Sequence, residues 1–299
     1  QAGRVGEAVV QFEQLLVDRT RVLGSDHPDT LTTRNNVAYW LQQAGRVGEA
    51  VVQFEQLLVD RTRVLGSDHP DTLTTRNNLA FGLSEAGRAS EAVAELEQLL
   101  IDRTRSLGSD HPDTLNTRSN LASVLDEAGR GGEAITQLEQ LLNHGAPTLG
   151  PDHPGILTTR KDLASVLGRA GRVREAVTQY EQLLVDLTRI LGPDHAGVLT
   201  TRLELASLLA RAGCMQGAVT QFEQLLNDQD RVLGASHPDT LTTRSNLAYC
   251  LGRAGRMEKA ITQLEQLLKD QTQVLGANHP DTLTTRNNLA SWLGEVGQT

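Results

Sequence analysis

Residues Leu65–Ala86 read LGSDHPDTLTTRNNLAFGLSEA, and a close copy of this stretch returns every 42 residues along the chain. Gly66 recurs as Gly24, Gly108, Gly150, Gly192, Gly234 and Gly276, and His69 as His27, His111, His153, His195, His237 and His279. Arg76 recurs as Arg34, Arg118, Arg160, Arg202, Arg244 and Arg286. Self-similarity at such a period marks an array of supersecondary units, each burying its apolar face on its neighbours.

Within one unit, Gly45–Ala86, apolar residues fall at Ala50, Val51, Phe54, Leu57, Leu58 and Leu65, the spacing of one helix face. This segment, helix B, is expected to end at Leu65-Gly66, with Gly66 in the left-handed C′ conformation. Ser67-Asp68-His69 is read as a turn. Pro70 suits the first position of the next helix, where its missing N–H leaves no bond unmade. Asp71 sits beside it, at the positive end of the helix dipole. Helix A then presents Leu73, Leu79, Ala80 and Leu83 and ends near Ala86, before Gly87. The expectation is all-α: antiparallel helix pairs joined by short turns and stacked.

Working outward, seven such units run 3–44, 45–86, 87–128, 129–170, 171–212, 213–254 and 255–296, and Gly297-Gln298-Thr299 begins an eighth. The 299 residues are therefore expected to form one elongated domain in place of two globular ones. The first residues, Gln1-Ala2, match Gln43-Ala44, so the segment is read as cut from a longer protein. It then starts on a helix B and finishes on a helix A without partners, and both ends are expected to expose apolar surface. Residues 1–36 are identical to 43–78, as after a recent duplication. The fourth unit departs most: Asn143-His144-Gly145-Ala146-Pro147 is expected to end or kink its helix B and to alter the curvature near 143–155.

Composition excludes several classes of function. A formal charge of −9 argues against general nucleic-acid binding and suits a cytoplasmic protein. Cys214 and Cys250 make neither a disulfide framework nor a zinc motif, and no apolar run reaches the roughly 20 residues of a membrane span. There is no Gly-rich phosphate loop, nucleophile elbow or HExxH, so neither catalysis nor a cofactor is expected. The seven turn histidines are read as capping residues, since a lone His per unit has no second metal ligand near it. Arg34 and its equivalents are paired with the recurring Glu13, Glu55, Glu97, Glu139, Glu181, Glu223 and Glu265 of helix B, as a ladder of ion pairs.

The unit resembles a tetratricopeptide repeat, whose signature is W-x2-L-G-x2-Y, then A-x3-F, then P. Val37, Ala38 and Leu41 fall on the L, G and Y positions, and Ala50 and Phe54 on A-x3-F. Small residues recur at both alanine positions in every unit. Arg34 stands at the Trp position and Thr62 at the Pro position; without that Pro, helix B can run on, which accounts for most of the residues beyond the usual repeat. This longer form, with its DHPDT turn, is similar to the kinesin-light-chain type of repeat, and comparable arrays are attached to bacterial signalling NTPases. The resemblance implies a right-handed α-solenoid that binds a protein or peptide in a concave groove lined by helix A.

The matching groove positions are Thr32, Asn35, Asn36, Tyr39, Gln42 and Gln43 and their equivalents. Asn36 recurs as Asn78, Asn120, Asn246 and Asn288, with Asp162 and Glu204 between, and such amides either pair with a peptide backbone or bond neighbouring helices. Tyr39, Phe81 and Tyr249 share one position and are candidate anchors, whereas Trp40 and Trp292 are read as packing residues. Glu85, Asp126 and Glu127 form an acidic arc, followed by a basic one of Arg169, Arg211 and Arg253 with Lys161 nearby. These arcs either orient a complementary peptide or are ordinary solvated surface. A second function, from a different class, is head-to-tail self-association through the open ends.

Overall fold

The computed structural model describes residues 2–296, and the eighth unit expected from Gly297 lies outside them. These residues form fourteen helices and no strand. They divide at Gly150/Pro151 into two compact units. The first contains α1 Ala2–Leu23, α2 Pro28–Gln43, α3 Val47–Leu65, α4 Pro70–Glu85, α5 Ala89–Leu107, α6 Pro112–Glu127 and α7 Gly131–Leu149. The second contains α8 Pro154–Arg169, α9 Val173–Leu191, α10 Ala196–Arg211, α11 Met215–Val232, α12 Pro238–Arg253, α13 Met257–Val274 and α14 Pro280–Val296. Odd-numbered helices are helix B, even-numbered ones helix A. Inside each unit every helix packs on the one before and the one after it.

The turns explain the recurring residues. Each histidine sits at the N-cap in extended conformation: His69, with φ −67° and ψ 138°, accepts the Asp71 backbone N–H on Nδ1 at 3.2 Å. His153 and His195 do the same for Gly155 and Gly197, so both divergent turns keep their cap. His69→Ala is expected to lower stability by about 1 kcal/mol and His69→Asn to restore most of it, as read from urea unfolding.

The left-handed C′ glycine lies at the A-to-B turn. Gly45 has φ 77°, and the Arg46 N–H donates to the Leu41 carbonyl at 2.9 Å, closing a Schellman motif. Gly66 was expected in that role; its φ of 95° is joined to ψ 162°, a backbone region open essentially only to glycine.

Between the helices lies a thin core of Leu and Ala with a few rings. Phe54, Leu57, Ala38, Ala50 and Ala80 are fully buried in the first unit, and Phe222, Leu225, Ala218 and Ala260 in the second. Small residues let neighbouring helices approach: a Cβ on Gly252 would stand 2.6 Å from the Trp292 ring, which packs there.

Two further expectations are corrected. The arginine ladder runs to aspartate, not to the recurring glutamate. Arg34 donates to Asp60, Arg160 to Asp186 and Arg244 to Asp270, while Arg76 bridges Asp102 and Glu95. Glu55 and Glu97 instead face outward, towards Arg88 and Arg130. Where the aspartate position is His144, Arg118 turns to Gln137 and Gln140, and His144 meets Asp110.

The second correction concerns Pro147, which does not end its helix early. It lies in the last turn of α7, which spans 19 residues like α3, α5 and α9. A proline there removes one late N–H, and the Gly150 N–H still closes on the Ala146 carbonyl at 3.0 Å.

The first and last helices each leave an apolar residue exposed that is buried at the equivalent position inside the array. Leu15 of α1 is 38% exposed, whereas Leu57, its equivalent in α3, is 0% exposed. At the other end Leu293 of α14 is 49% exposed against 5% for Leu83.

Candidate peptide-binding face

One strip of each helix A is left uncovered by the stacking. In α4 it carries Thr74, Asn77, Asn78, Phe81 and Glu85; of these Thr74, Phe81 and Glu85 are exposed and the two asparagines half-buried. The equivalents on α2 and α6 are Thr32, Asn35, Asn36 and Tyr39, and Asn116, Ser119, Asn120 and Ser123. Tyr39 stands edge-on to Trp40 at 5.5 Å.

In the first unit this strip is bonded to itself. The Asn78 Nδ2 donates to Asn35 Oδ1 at 3.2 Å, and Asn120 Nδ2 to Asn77 Oδ1 at 2.8 Å. Glu85 accepts from Gln42 Nε2 at 2.7 Å, and Glu127 from Ser84 Oγ at 2.8 Å. Each bond joins one helix A to the next. Gln42 is buried, so it braces the strip instead of lining it. Asp126 has a partner as well.

In the second unit the strip differs. The position of Gln43, Glu85 and Glu127 becomes Arg169, Arg211 and Arg253, in the last turns of α8, α10 and α12. Arg169 donates to Ser165 Oγ at 2.7 Å. Arg211 and Arg253 are exposed and have no hydrogen bond or ion pair among the described residues. A cation is favourable at the C-terminal end of a helix dipole, so these arginines stand ready without intramolecular pairing.

Asn246 and Asn288 lie half-buried on α12 and α14. Tyr249 is exposed and shares a hollow with Leu264 and Trp292. Between α8 and α10, Lys161 Nζ stands 3.9 Å from Glu204, and Tyr180, where α3 has Phe54, lies beside Ser165 and Glu204. Burial, with the negative charge of Glu204, pushes the Tyr180 phenol up to about 12. It is a buried packing residue.

Two tetratricopeptide-repeat family profiles match, one over residues 1–29, 30–71 and 72–113, the other over 127–185, 197–272 and 239–299. The chain belongs to the tetratricopeptide repeat family. A solved tetratricopeptide-like structure from Podosopora anserina, described as a kinesin light chain with nearly identical repeats, is 33% identical with a TM-score of 0.64. It covers 69% of this chain and 97% of its own. BtubC (BKLC) from P. vanneervenii, at 20% identity and TM-score 0.61, covers 78% of this chain and 94% of its own. The C-terminal part of a tetratricopeptide repeat protein from Cytophaga hutchinsonii, at 13% identity and TM-score 0.62, covers 95% and 99%. These last two share the fold. No curated protein matches the chain.

Tetratricopeptide repeats are in general protein-interaction modules and are typically not enzymes. Among the described residues no helix is long and apolar enough to cross a membrane, and no three His, Cys, Asp or Glu side chains are grouped to hold a metal ion.

Proposed function

We propose that this chain is an interaction scaffold that holds an extended, acidic segment of a partner protein across the helix-A strip of its second unit. Arg211 and Arg253 would take carboxylates and Tyr249 an apolar side chain, with Asn246 and Asn288 pairing with the segment's backbone. The observation that supports this is the contrast between the two strips: in the first, Glu85, Glu127, Asn78 and Asn120 are bonded to the neighbouring helix A, whereas Arg211 and Arg253 are not bonded. A group already satisfied gains little from a ligand; an exposed arginine loses little on pairing and gives orientation and on-rate.

The test is fluorescence anisotropy with a labelled decapeptide rich in Glu and Asp. Arg211→Glu with Arg253→Glu is expected to weaken binding by about tenfold or more, and raised salt to weaken it for the wild type. Glu85→Lys in the first unit should change it little. Equal binding by wild type and the double variant would sink the reading.

Head-to-tail association is the second reading, favoured by the apolar faces around Leu15 and Leu293. Its mark is a mass in light scattering that climbs with concentration and falls back in Leu15→Lys. A constant single-chain mass over a hundredfold range counts against it.

A further inference from the structure

Three helices B of the first unit carry an arginine turned inward. Arg61 Nη1 donates to the Asp71 carbonyl at 2.9 Å and to Thr75 Oγ1 at 2.8 Å. Arg103 does the same with Asp113 and Thr117 at 2.9 and 2.7 Å, and Arg19 with Asp29 and Thr33 at 3.1 and 2.8 Å. Each guanidinium thus spans from helix B to the first turn of its own helix A. Further along the chain this position becomes Gly145, Leu187, Gln229 and Gln271.

Glutamine ends well short of where the outer nitrogens of arginine lie. Gln271 is only 4% exposed, and its Oε1 has no hydrogen-bond partner; Gln229 Oε1 and Thr243 Oγ1 are likewise unpaired. A buried polar atom without a partner loses its hydration and gains nothing in return, so acceptors left in this way mark a place where a donor belongs. At Gln271 the space is a cleft of about 380 Å³. Gln271, Asp281 and Thr285 line one side, and Thr242, Ser245 and Asn246 the other. Thr242 and Asn246 belong to the helix-A strip, so the cleft opens on the face proposed to hold the partner.

We infer that this cleft is a subsite for a guanidinium supplied by another molecule, an arginine side chain replacing in trans the one that Arg61 and Arg103 supply in cis. The Asp281 carbonyl and Thr285 Oγ1 occupy the places of Asp71 and Thr75, Gln271 Oε1 adds an acceptor, and the exposed Asp281 carboxylate stands at the cleft. A planar fork of donors matches acceptors spread in this way better than an ammonium does. Two neighbouring groups leave room for it. Arg244 is paired with Asp270 and Asp230, and His279 Nδ1 is occupied by the Asp281 N–H. In the first unit Arg34 and Arg61 coexist in the same arrangement.

The inference deepens the preceding reading, on which it rests only for the carrier of the arginine. Thr242 lies near the start of α12 and Arg253 at its end, about 16 Å apart along the axis. A segment lying across α12 would therefore present an arginine at one edge and a carboxylate about that far away at the other.

The probe is Nα-acetyl-arginine amide, titrated into the 15N-labelled full chain and followed by amide shifts. Saturable shifts at Asp281, Thr285 and the Gln271 side chain are expected. The lysine and citrulline analogues should bind about tenfold more weakly. Gln271→Arg, which restores the internal arginine, should raise the melting temperature and abolish the shifts. No saturable shift, equal affinity for the citrulline analogue, or shifts that persist in Gln271→Arg would each overturn the inference. Arg211→Glu/Arg253→Glu is expected to bind the probe normally, so loss of acidic-peptide binding in that variant leaves this subsite untouched.

Discussion

Replacing Phe54 by alanine is expected to cost the first unit about 3–5 kcal/mol. The ring is fully buried at the waist of α3, which packs on both α2 and α4. Its removal forfeits the transfer energy of a benzyl group and leaves a hole between two layers of helices. Those layers are held apart by other side chains and so relax only partly. In a repeat array each element touches only its neighbours, so the damage should be local. Hydrogen exchange should accelerate most in α2–α5 and least in α10–α14. Phe12 offers an internal control, since it holds the same position in α1 but is only half-buried. Phe12→Ala should cost clearly less, and equal losses at the two sites would mean that packing against the preceding helix A is not what makes Phe54 important.

Arg76→Ala should be the most damaging change in the ion-pair ladder. Arg76 is largely buried and bridges Asp102 and Glu95. Burial by itself raises the Asp102 carboxyl, but the hydrogen bond and charge of Arg76 outweigh that and hold it below its ordinary value. Deleting the arginine leaves two carboxylates facing each other with little solvent. A loss of about 2–3 kcal/mol near neutral pH is expected, below the 3–5 of a fully buried pair because Glu95 is a quarter exposed. The sign with pH follows from linkage. A carboxyl lowered on folding stabilises the wild type above its unfolded pKa, and that stability is lost as pH falls through the folded value. In Arg76→Ala the Asp102 carboxyl loses the main influence that lowers it, so the gap between the two proteins should narrow as pH drops from neutral towards 3. Arg76→Met, which fills the space without charge, should not recover stability near neutral pH, because Glu95 stays without its partner and Asp102 keeps only Arg105 and Gln98. A gap that is flat in pH would contradict this account.

What the repeat made legible was whatever each unit must do alone. The histidine caps, the helix bounds near Leu65, Pro70 and Glu85, and the buried Ala38 and Ala50 all follow from one unit and its period. Less legible was which of several recurring groups meet between units. Glu55 and Asp60 are both acids near Arg34, and five residues on a helix turn them about 140° apart. Recurrence alone does not say which one faces the arginine. The asparagine row was visible as a row; that Asn120 reaches Asn77 depends on how close successive helices A come, which one unit alone does not reveal. The cleft at Gln271 was hidden for a related reason. An Arg-to-Gln change in a repeat reads as drift until the arginine it replaces is known to be buried and bonded to the next helix.

The identity of residues 1–36 with 43–78 has a consequence for how the chain finds its fold. During folding, α1 and α3 offer α2 the same surface, and the turns leading into α2 and α4 are indistinguishable. Correct threading therefore depends on the few positions where the two helices A differ: Val37 and Leu79, Tyr39 and Phe81, Trp40 and Gly82, Gln42 and Ser84, Gln43 and Glu85. Trp40 and Gly82 differ most in bulk, and Gly82 lies where Val51 comes closest to its backbone. A chain that skipped one unit would bring a tryptophan to a place shaped for a glycine, and that clash is what tells the two copies apart.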